Sequence, residues 1–278
     1  MKVVIITERT ILDGVAAVIE ECGATGYTHV EAGGKGSRMG FEAPTTPKPL
    51  ADIGGEPILW HLVKYFHHYG FSEVWIAIGA RGNELADHFA GYAAANSDFE
   101  VFLPERADEP APIGRPLVRL IDTGEDTSTG GRIRQLTDRI GAPFLLSWCD
   151  GLADIDLNAL VDFHRSHGKP ATLTAVHPPG RFGHLTLSAD RVKDFVEKPS
   201  QTDEWINGSF FVLNPDWKQW NANPEFEWER DCLAPMAKDG ALMAYRHAGF
   251  WQCMDTSKER DLLNALWQSG NPPWKKWD

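Results

Sequence analysis

Long hydrophobic runs are absent from this 278-residue chain, and no apolar stretch approaches the roughly 20 residues a bilayer-spanning helix needs. The opening MKVVIITERT meets charge after a short apolar run, unlike a secretory signal. Cysteine is scarce. Cys22, Cys149, Cys232 and Cys253 are widely spaced without a CxxC pair, a poor disulfide or zinc framework. Reduced thiols in a cytoplasmic protein are the expectation. Positive charge is also short: 27 Lys and Arg against 39 Asp and Glu leave a net charge of −12. That argues against a nucleic acid or an anionic membrane as partner, because phosphate-rich surfaces attract basic proteins. A small phosphorylated substrate needs only a local basic pocket. Neither an internal repeat nor a low-complexity tract is present.

What is there reads as alternating strands and helices. Val3 to Ile6 is a short continuous apolar strand, and Ile11 to Cys22 carries helical spacing closed by Gly23. Tyr27 to Glu31 is a weaker strand running into glycines. Helices are expected over Pro57 to Tyr69, Asn83 to Tyr92, Leu157 to His167 and Ser257 to Trp267. Strands are expected at Val74 to Ile78, Leu117 to Ile121, Phe144 to Trp148 and Ala171 to His177, with a surface excursion from Pro104 to Pro116. This alternation predicts an α/β fold with a mostly parallel, doubly wound, Rossmann-like sheet. Phe182 to Leu213 reads as a smaller β-rich insertion. Residues 1–26 read as an extra N-terminal β-α element, and 27–278 as the main domain.

Four local features carry chemistry. Ala32-Gly33-Gly34-Lys35-Gly36-Ser37-Arg38 follows a strand, and Lys48 in Pro47-Lys48-Pro49 comes ten residues past the arginine. Glycines let backbone N–H groups approach phosphate oxygens, and Arg38 adds a bidentate fork. Alone, such glycines are commonly an ordinary turn; with two flanking cations the pattern is far more specific. It is not a P-loop, since GxxxxGK[ST] is absent. Asp150 stands just after an apolar strand, where carboxylates of open α/β sheets project into the ligand crevice, or where an aspartate simply caps a turn. Asp255 is either a partner carboxylate for a nucleotide-bound Mg²⁺ or an N-cap for the helix after it. Glu197-Lys198 before Pro199 is a ligand contact or a solvated surface pair, and Asn207 opens a strand.

From about Val30 onward the chain resembles the glucose-1-phosphate cytidylyltransferases, within the wider sugar-phosphate nucleotidyltransferase family. The resemblance rests on AGGKGSR, TTPKPLADIGGEPILWH, LIDTGEDTSTGGRI, CDGLADIDL, DFHRSHGKPATLTAV, PPGRFGHL, VEKPS, INGSFFVLNP, GFWQCMDT and PPWKKW, in order. GGxGxR, PKP and EKP belong to the wide family; HPPGRFG, the TGGR segment and GFWQCMDT point to the cytidylyl branch. The resemblance implies that Gly33, Gly34, Gly36 and Ser37 hold CTP. It places Arg38 at the leaving pyrophosphate and Lys48 near the α-phosphate. Asp150 and Asp255 would hold Mg²⁺. Lys198 would grip the phosphate of glucose 1-phosphate, with Glu197 and Asn207 on the sugar hydroxyls, and Arg132 would be a further nucleotide or substrate contact. It further implies in-line attack of the sugar phosphate on the α-phosphorus of CTP, with Mg²⁺, Arg38 and Lys48 neutralising charge. The family is commonly homo-oligomeric, and the Trp-rich C-terminus suits packing, either between subunits or in the core.

Residues 1–38 resemble something else: the start of carboxysome-associated PII-like signalling proteins, of which only the first β-α-β third is present. Both resemblances include GGKGSR, so the chain reads as a crossover at a shared glycine-rich segment. The strand Tyr27-Thr28-His29-Val30-Glu31 puts His29 and Glu31 where a buried parallel strand wants apolar β-branched residues. Three readings follow: an active cytidylyltransferase, a uridylyl- or thymidylyltransferase, and a catalytically impaired nucleotide-binding chimera.

Overall fold

Val3, Val4, Ile5 and Ile6 are apolar on both faces of their strand, the pattern of a parallel strand covered by helices on each side. The computed structural model describes residues 1–7, 46–79, 81–95, 100–102, 116–180, 184–197 and 204–277. The strands are β1 (Lys2–Ile6), β2 (Asp52–Ile53), β3 (Glu56–Pro57), β4 (Glu73–Ile78), β5 (Glu100–Phe102), β6 (Leu117–Asp122), β7 (Phe144–Trp148), β8 (Gly151–Ala153), β9 (Ala171–Val176), β10 (His184–Ser188), β11 (Arg191–Val196), β12 (Ile206–Leu213), β13 (Leu242–His247) and β14 (Trp251–Cys253). The α-helices are α1 (Ile58–His68), α2 (Gly82–Ala95), α3 (Thr129–Ile140), α4 (Leu157–His167), α5 (Ala234–Lys238) and α6 (Ser257–Gln268).

Eight strands form one sheet in the order β13-β9-β12-β7-β1-β4-β6-β5. β12 runs antiparallel to both neighbours, and the remaining pairings are parallel. Successive residues of β1 point to opposite faces, as the two-residue strand period requires. Val3 and Ile5 join Ile58, Leu62, Phe66, Leu85, Leu160 and Leu263 on one side; Val4 and Ile6 join Ile133, Leu136, Trp228 and Met236 on the other. The sheet is therefore wound on both faces, as the alternation predicts.

The position of β1 departs from the expected division at residue 26. Lys2–Ile6 pairs in parallel with β4 through Val3–Val74 to Ile6–Ala77, and with β7 through Lys2–Phe144 to Ile6–Trp148. It lies at the centre of the sheet, so elements from both sides of that division share one core. A continuous apolar strand satisfies this slot without burying a charge, which Tyr27–Glu31 cannot do. Tyr27–Glu31 and Ile11–Cys22 lie outside the described residues, as does nearly all of the Pro104–Pro116 excursion.

The expected β-rich insertion is smaller than its sequence span. β10 and β11 form a separate antiparallel hairpin, but β12 enters the main sheet with Phe210, Phe211, Val212 and Leu213 fully buried. Helix α3 carries Gly130 and Gly131 in its first turn for a packing reason. A Cβ at Gly130 would stand 2.5 Å from the Phe226 carbonyl, and one at Gly131 would stand 2.8 Å from that of Pro224. Ser128 caps the helix, accepting from Gly131 N and Phe226 N.

Candidate active site

The C-terminal ends of β1, β4, β6 and β7 and the N-terminal end of the antiparallel β12 all meet one edge of the sheet. This is the edge at which open α/β sheets bind ligands. Asp150 stands two residues past β7 and is 9 % exposed. The short ladder between β8 and β14 pairs Gly151 with Cys253, and the Met254 N–H donates to the Asp150 carbonyl at 2.7 Å. A reversal of chain direction over one hairpin-like pairing thus carries Asp255 to the side of Asp150.

Asp255 does not cap α6. Thr256 does, in a reciprocal capping box with Glu259. The Glu259 carboxylate also accepts from the Asp255 N–H at 2.7 Å, which fixes the backbone and leaves the Asp255 carboxylate directed elsewhere. That direction is Lys48. Its Nζ donates to Asp150 Oδ2 at 2.8 Å and to Asp255 Oδ1 at 2.6 Å. Lys48 opens the 3₁₀ turn Lys48–Leu50, whose form is set by Pro47 and Pro49 and closed by Leu50 N–H to Pro47 and Ala51 N–H to Lys48. Burial by itself lowers the lysine pKa; the charge of Asp150, with Cys149 and Asp255, more than reverses this, so the ammonium is held above its ordinary value.

Two carboxylates converging on one cation are a hard-oxygen donor set, the kind that holds Mg²⁺ beside phosphates. Cys253, Asp255 and Glu259 also lie within 4.8 Å of one another. There, however, Glu259 is committed to the two backbone N–H groups of the cap, and a thiol is a soft ligand.

The loop before β14 is held by Asp154, whose Oδ1 accepts from the Phe250 N–H at 2.7 Å and lies 2.9 Å from His247 Nε2. The Trp251 indole donates to the Gly208 carbonyl at 2.8 Å, joining this hairpin to the start of β12. There Asn207 Oδ1 accepts from the Ser209 N–H at 2.9 Å, and Ser209 takes a left-handed φ of 65° within a break in the β9–β12 register. Trp251 and Asp154 lie in the GFWQCMDT and CDGLADIDL segments, but nothing in residue type or spacing marks either one as a positioning contact.

Arg132 is placed differently from a freely presented ligand contact. It is 2 % exposed, and its guanidinium donates to the Ile78 carbonyl at 3.2 Å, Thr123 Oγ1 at 2.5 Å and the Glu125 carbonyl at 3.1 Å. It thereby ties the ends of β4 and β6 at the same edge. Thr7, the residue after β1, donates its hydroxyl to the Ala77 carbonyl at 2.6 Å. Glu197 lies exposed at the end of β11. The structure thus brings Lys48, Asp150 and Asp255 together, with Asn207 and Arg132 on the same edge. Gly33, Gly34, Gly36, Ser37, Arg38 and Lys198 lie outside the described residues.

Residues 30–198 match the MobA-like NTP transferase domain, and residues 1–51 match the nitrogen regulatory protein P-II. The chain is 41 % identical to glucose-1-phosphate cytidylyltransferase of Salmonella typhi over 251 residues, covering 89 % of this chain and 98 % of that protein. It is 40 % identical to the probable glucose-1-phosphate cytidylyltransferase of Bacillus subtilis, covering 88 % and 97 %. Among solved structures, HddC from Yersinia pseudotuberculosis superposes with a TM-score of 0.62 at 18 % identity, covering 96 % of this chain and 99 % of that one, a likeness of fold. The sheet order, the crevice carboxylates and these relatives agree: the chain belongs to the glucose-1-phosphate cytidylyltransferase family of nucleotidyltransferases.

Proposed function

We propose that this protein transfers a cytidylyl group from CTP to glucose 1-phosphate, giving CDP-glucose and pyrophosphate. The convergence of Lys48, Asp150 and Asp255 at the ligand-binding edge of the sheet is the observation that carries the reading beyond family membership. Asp150 and Asp255 would hold Mg²⁺, which when bound supplies positive charge to the phosphates of the triphosphate. Lys48, whose ammonium is charged throughout the physiological range, would meet the α-phosphate, and Arg38 the leaving pyrophosphate. A phosphate oxygen of glucose 1-phosphate attacks the α-phosphorus in line, and the bond to pyrophosphate breaks. The attacking oxygen is already anionic, so no strong general base is needed, and alignment with charge neutralisation does the chemistry.

Gly33, Gly34, Gly36 and Ser37 are assigned to the nucleotide, and Lys198, Glu197 and Asn207 to the sugar phosphate. Arg132, held among carbonyls, supports the nucleotide side by fixing the ends of β4 and β6. We assign the protein to the cytoplasm, without nucleic-acid or membrane partners; no helix among the described residues is long and apolar enough to cross a membrane. A homo-oligomer is proposed as well. The exposed cross-strand pair Leu185 and Phe195 on the β10–β11 hairpin, beside Val192 and Val196, supplies an apolar surface that supports it.

A second reading has one observation in its favour. The central strand here is β1, 27 residues upstream of Gly33 counted from Ile6, so the glycine-rich segment does not directly follow the strand at the sheet centre. An impaired nucleotide binder is compatible with that. Incubation with Mg²⁺, glucose 1-phosphate and each triphosphate separately, with pyrophosphate measured, decides between them. Release with CTP alone supports cytidylyl transfer, release with UTP or dTTP moves the assignment to a related transferase, and no release with any triphosphate favours the impaired binder.

A further inference from the structure

The ammonium of Lys48 lies on the very carboxylates assigned to the divalent cation. One nitrogen donates to both Asp150 Oδ2 and Asp255 Oδ1, so the two oxygens can be no farther apart than these two hydrogen bonds laid end to end. The Lys48 side chain is 17 % exposed and that of Asp150 13 %, so water screens this cluster weakly. An ammonium and a divalent cation cannot share that position, because two cations so close in a half-buried site repel strongly. Lys48 has a route away. Its backbone is fixed in the Pro47–Leu50 turn, whereas its four-carbon stem can swing to a new anion.

We propose that Lys48 is a built-in placeholder for the divalent cation. In the nucleotide-free protein it bridges Asp150 and Asp255, offsets one of their two negative charges and occupies the place a divalent cation would take. An arriving triphosphate offers the ammonium a new acceptor, and the two carboxylates are released to the cation that comes with it. Metal and nucleotide then bind with positive coupling through one side chain, and the free enzyme does not collect metal ions. This rests on the reading that Asp150 and Asp255 are the cation ligands, and goes beyond it in giving the order of events and its cause.

Mn²⁺ binding, followed by the electron paramagnetic resonance of the free ion, tests this without any turnover. The unmodified protein is expected to bind Mn²⁺ weakly alone and about tenfold or more tightly with CTP, after subtraction of the Mn²⁺ held by free CTP. Lys48→Gln keeps a hydrogen-bond donor, on a stem one atom shorter, but loses the charge. Its Mn²⁺ affinity without nucleotide should rise by about tenfold or more, whereas Lys48→Arg should stay with the parent protein. Adding Asp150→Asn to Lys48→Gln should erase the gain. Should Lys48→Gln fold poorly, its thermal midpoint should rise with Mn²⁺ more than the parent's, because a ligand that binds only the folded state stabilises it. Tight Mn²⁺ binding by the unmodified protein without nucleotide, or equal affinities in the parent and Lys48→Gln, would overturn the placeholder while leaving the carboxylates as ligands. An absence of Mn²⁺ binding in every arm, CTP included, would overturn the ligand assignment itself.

Discussion

The Met254 N–H donates to the Asp150 carbonyl at 2.7 Å, and this backbone bond extends the β8–β14 ladder to the two aspartates of the site. Neither is placed by its own loop alone: Asp150 hangs from β7, Asp255 from β14, and the β8–β14 ladder joins them. The geometry leads to four measurable consequences.

Asp150→Ala or Lys48→Ala should lower kcat for pyrophosphate release by about 10²-fold or more, the scale seen when one main electrostatic contact to a developing charge is removed. Near-parental kcat in either variant, with normal circular dichroism, would remove that residue from the mechanism and overturn the proposed site.

Ile5→Ala tests whether β1 belongs to the core. Ile5 has no exposed surface and packs between β4 and β7 under α1. Truncating it should cost about 2–5 kcal/mol in denaturant unfolding, the usual range for a buried Ile or Leu cut to Ala. An N-terminal strand lying outside the transferase core would leave the main unfolding transition unchanged.

Stability should fall with acid partly through His61. Its Nε2–H donates to the Ile53 carbonyl at 2.8 Å, and its Nδ1 accepts from the Trp274 indole at 3.4 Å, so the buried ring is set up to be neutral. Burial lowers its pKa from 6.5 to about 4. Between these values the unfolded chain binds a proton that the folded chain refuses, so the contribution is whole above pH 6.5 and is lost as pH falls toward 4. At about 1.4 kcal/mol per unit, the loss is on the order of 3 kcal/mol. His61→Gln should flatten the slope of unfolding free energy against pH in this window; an unchanged slope would assign the acid sensitivity to other groups.

Gly249→Ala should disturb the site from a distance. An added Cβ would lie 2.4 Å from Asp154 Oδ1 and 2.7 Å from the His247 ring, too close for the Phe250 N–H bond to Asp154 to survive intact. A destabilisation of about 1–3 kcal/mol is expected, as for other overpacked positions. Because Phe250 leads directly into β14 and Asp255, kcat should drop as well. A variant with parental stability and kcat would show that this loop has room to shift.

Much of the molecule is decided locally, and that part is open to a sequence reading. β1 and β4 hold continuous apolar runs, β6, β7 and β9 are mostly apolar or β-branched, and α1, α4 and α6 keep an apolar face at helical spacing, so chain-local pattern identifies them. Lys48 between two prolines, Asp150 after an apolar strand and the Asp255 segment announce themselves by residue type and neighbours. Helix α3 does not, because its glycines answer to the backbone at 224–226 rather than to helix propensity. Arg132 likewise shows a cation in sequence but not the carbonyls that enclose it.

What tertiary structure alone decided is pairing. Two segments upstream of the glycine-rich motif, Lys2–Ile6 and Tyr27–Glu31, are written as strands, and the central slot is taken by the one that buries no charge. β12 inserts antiparallel into a sheet whose local pattern looks parallel, because its register with β7 and β9 is a long-range fact. The ion pairs of Lys48 reach across 102 residues to Asp150 and 207 to Asp255. The sequence by itself named these three residues as candidates for phosphate and metal chemistry. Only the fold, by closing those loops at one sheet edge, set the lysine between the two carboxylates, where its charge and theirs are coupled in a weakly screened pocket.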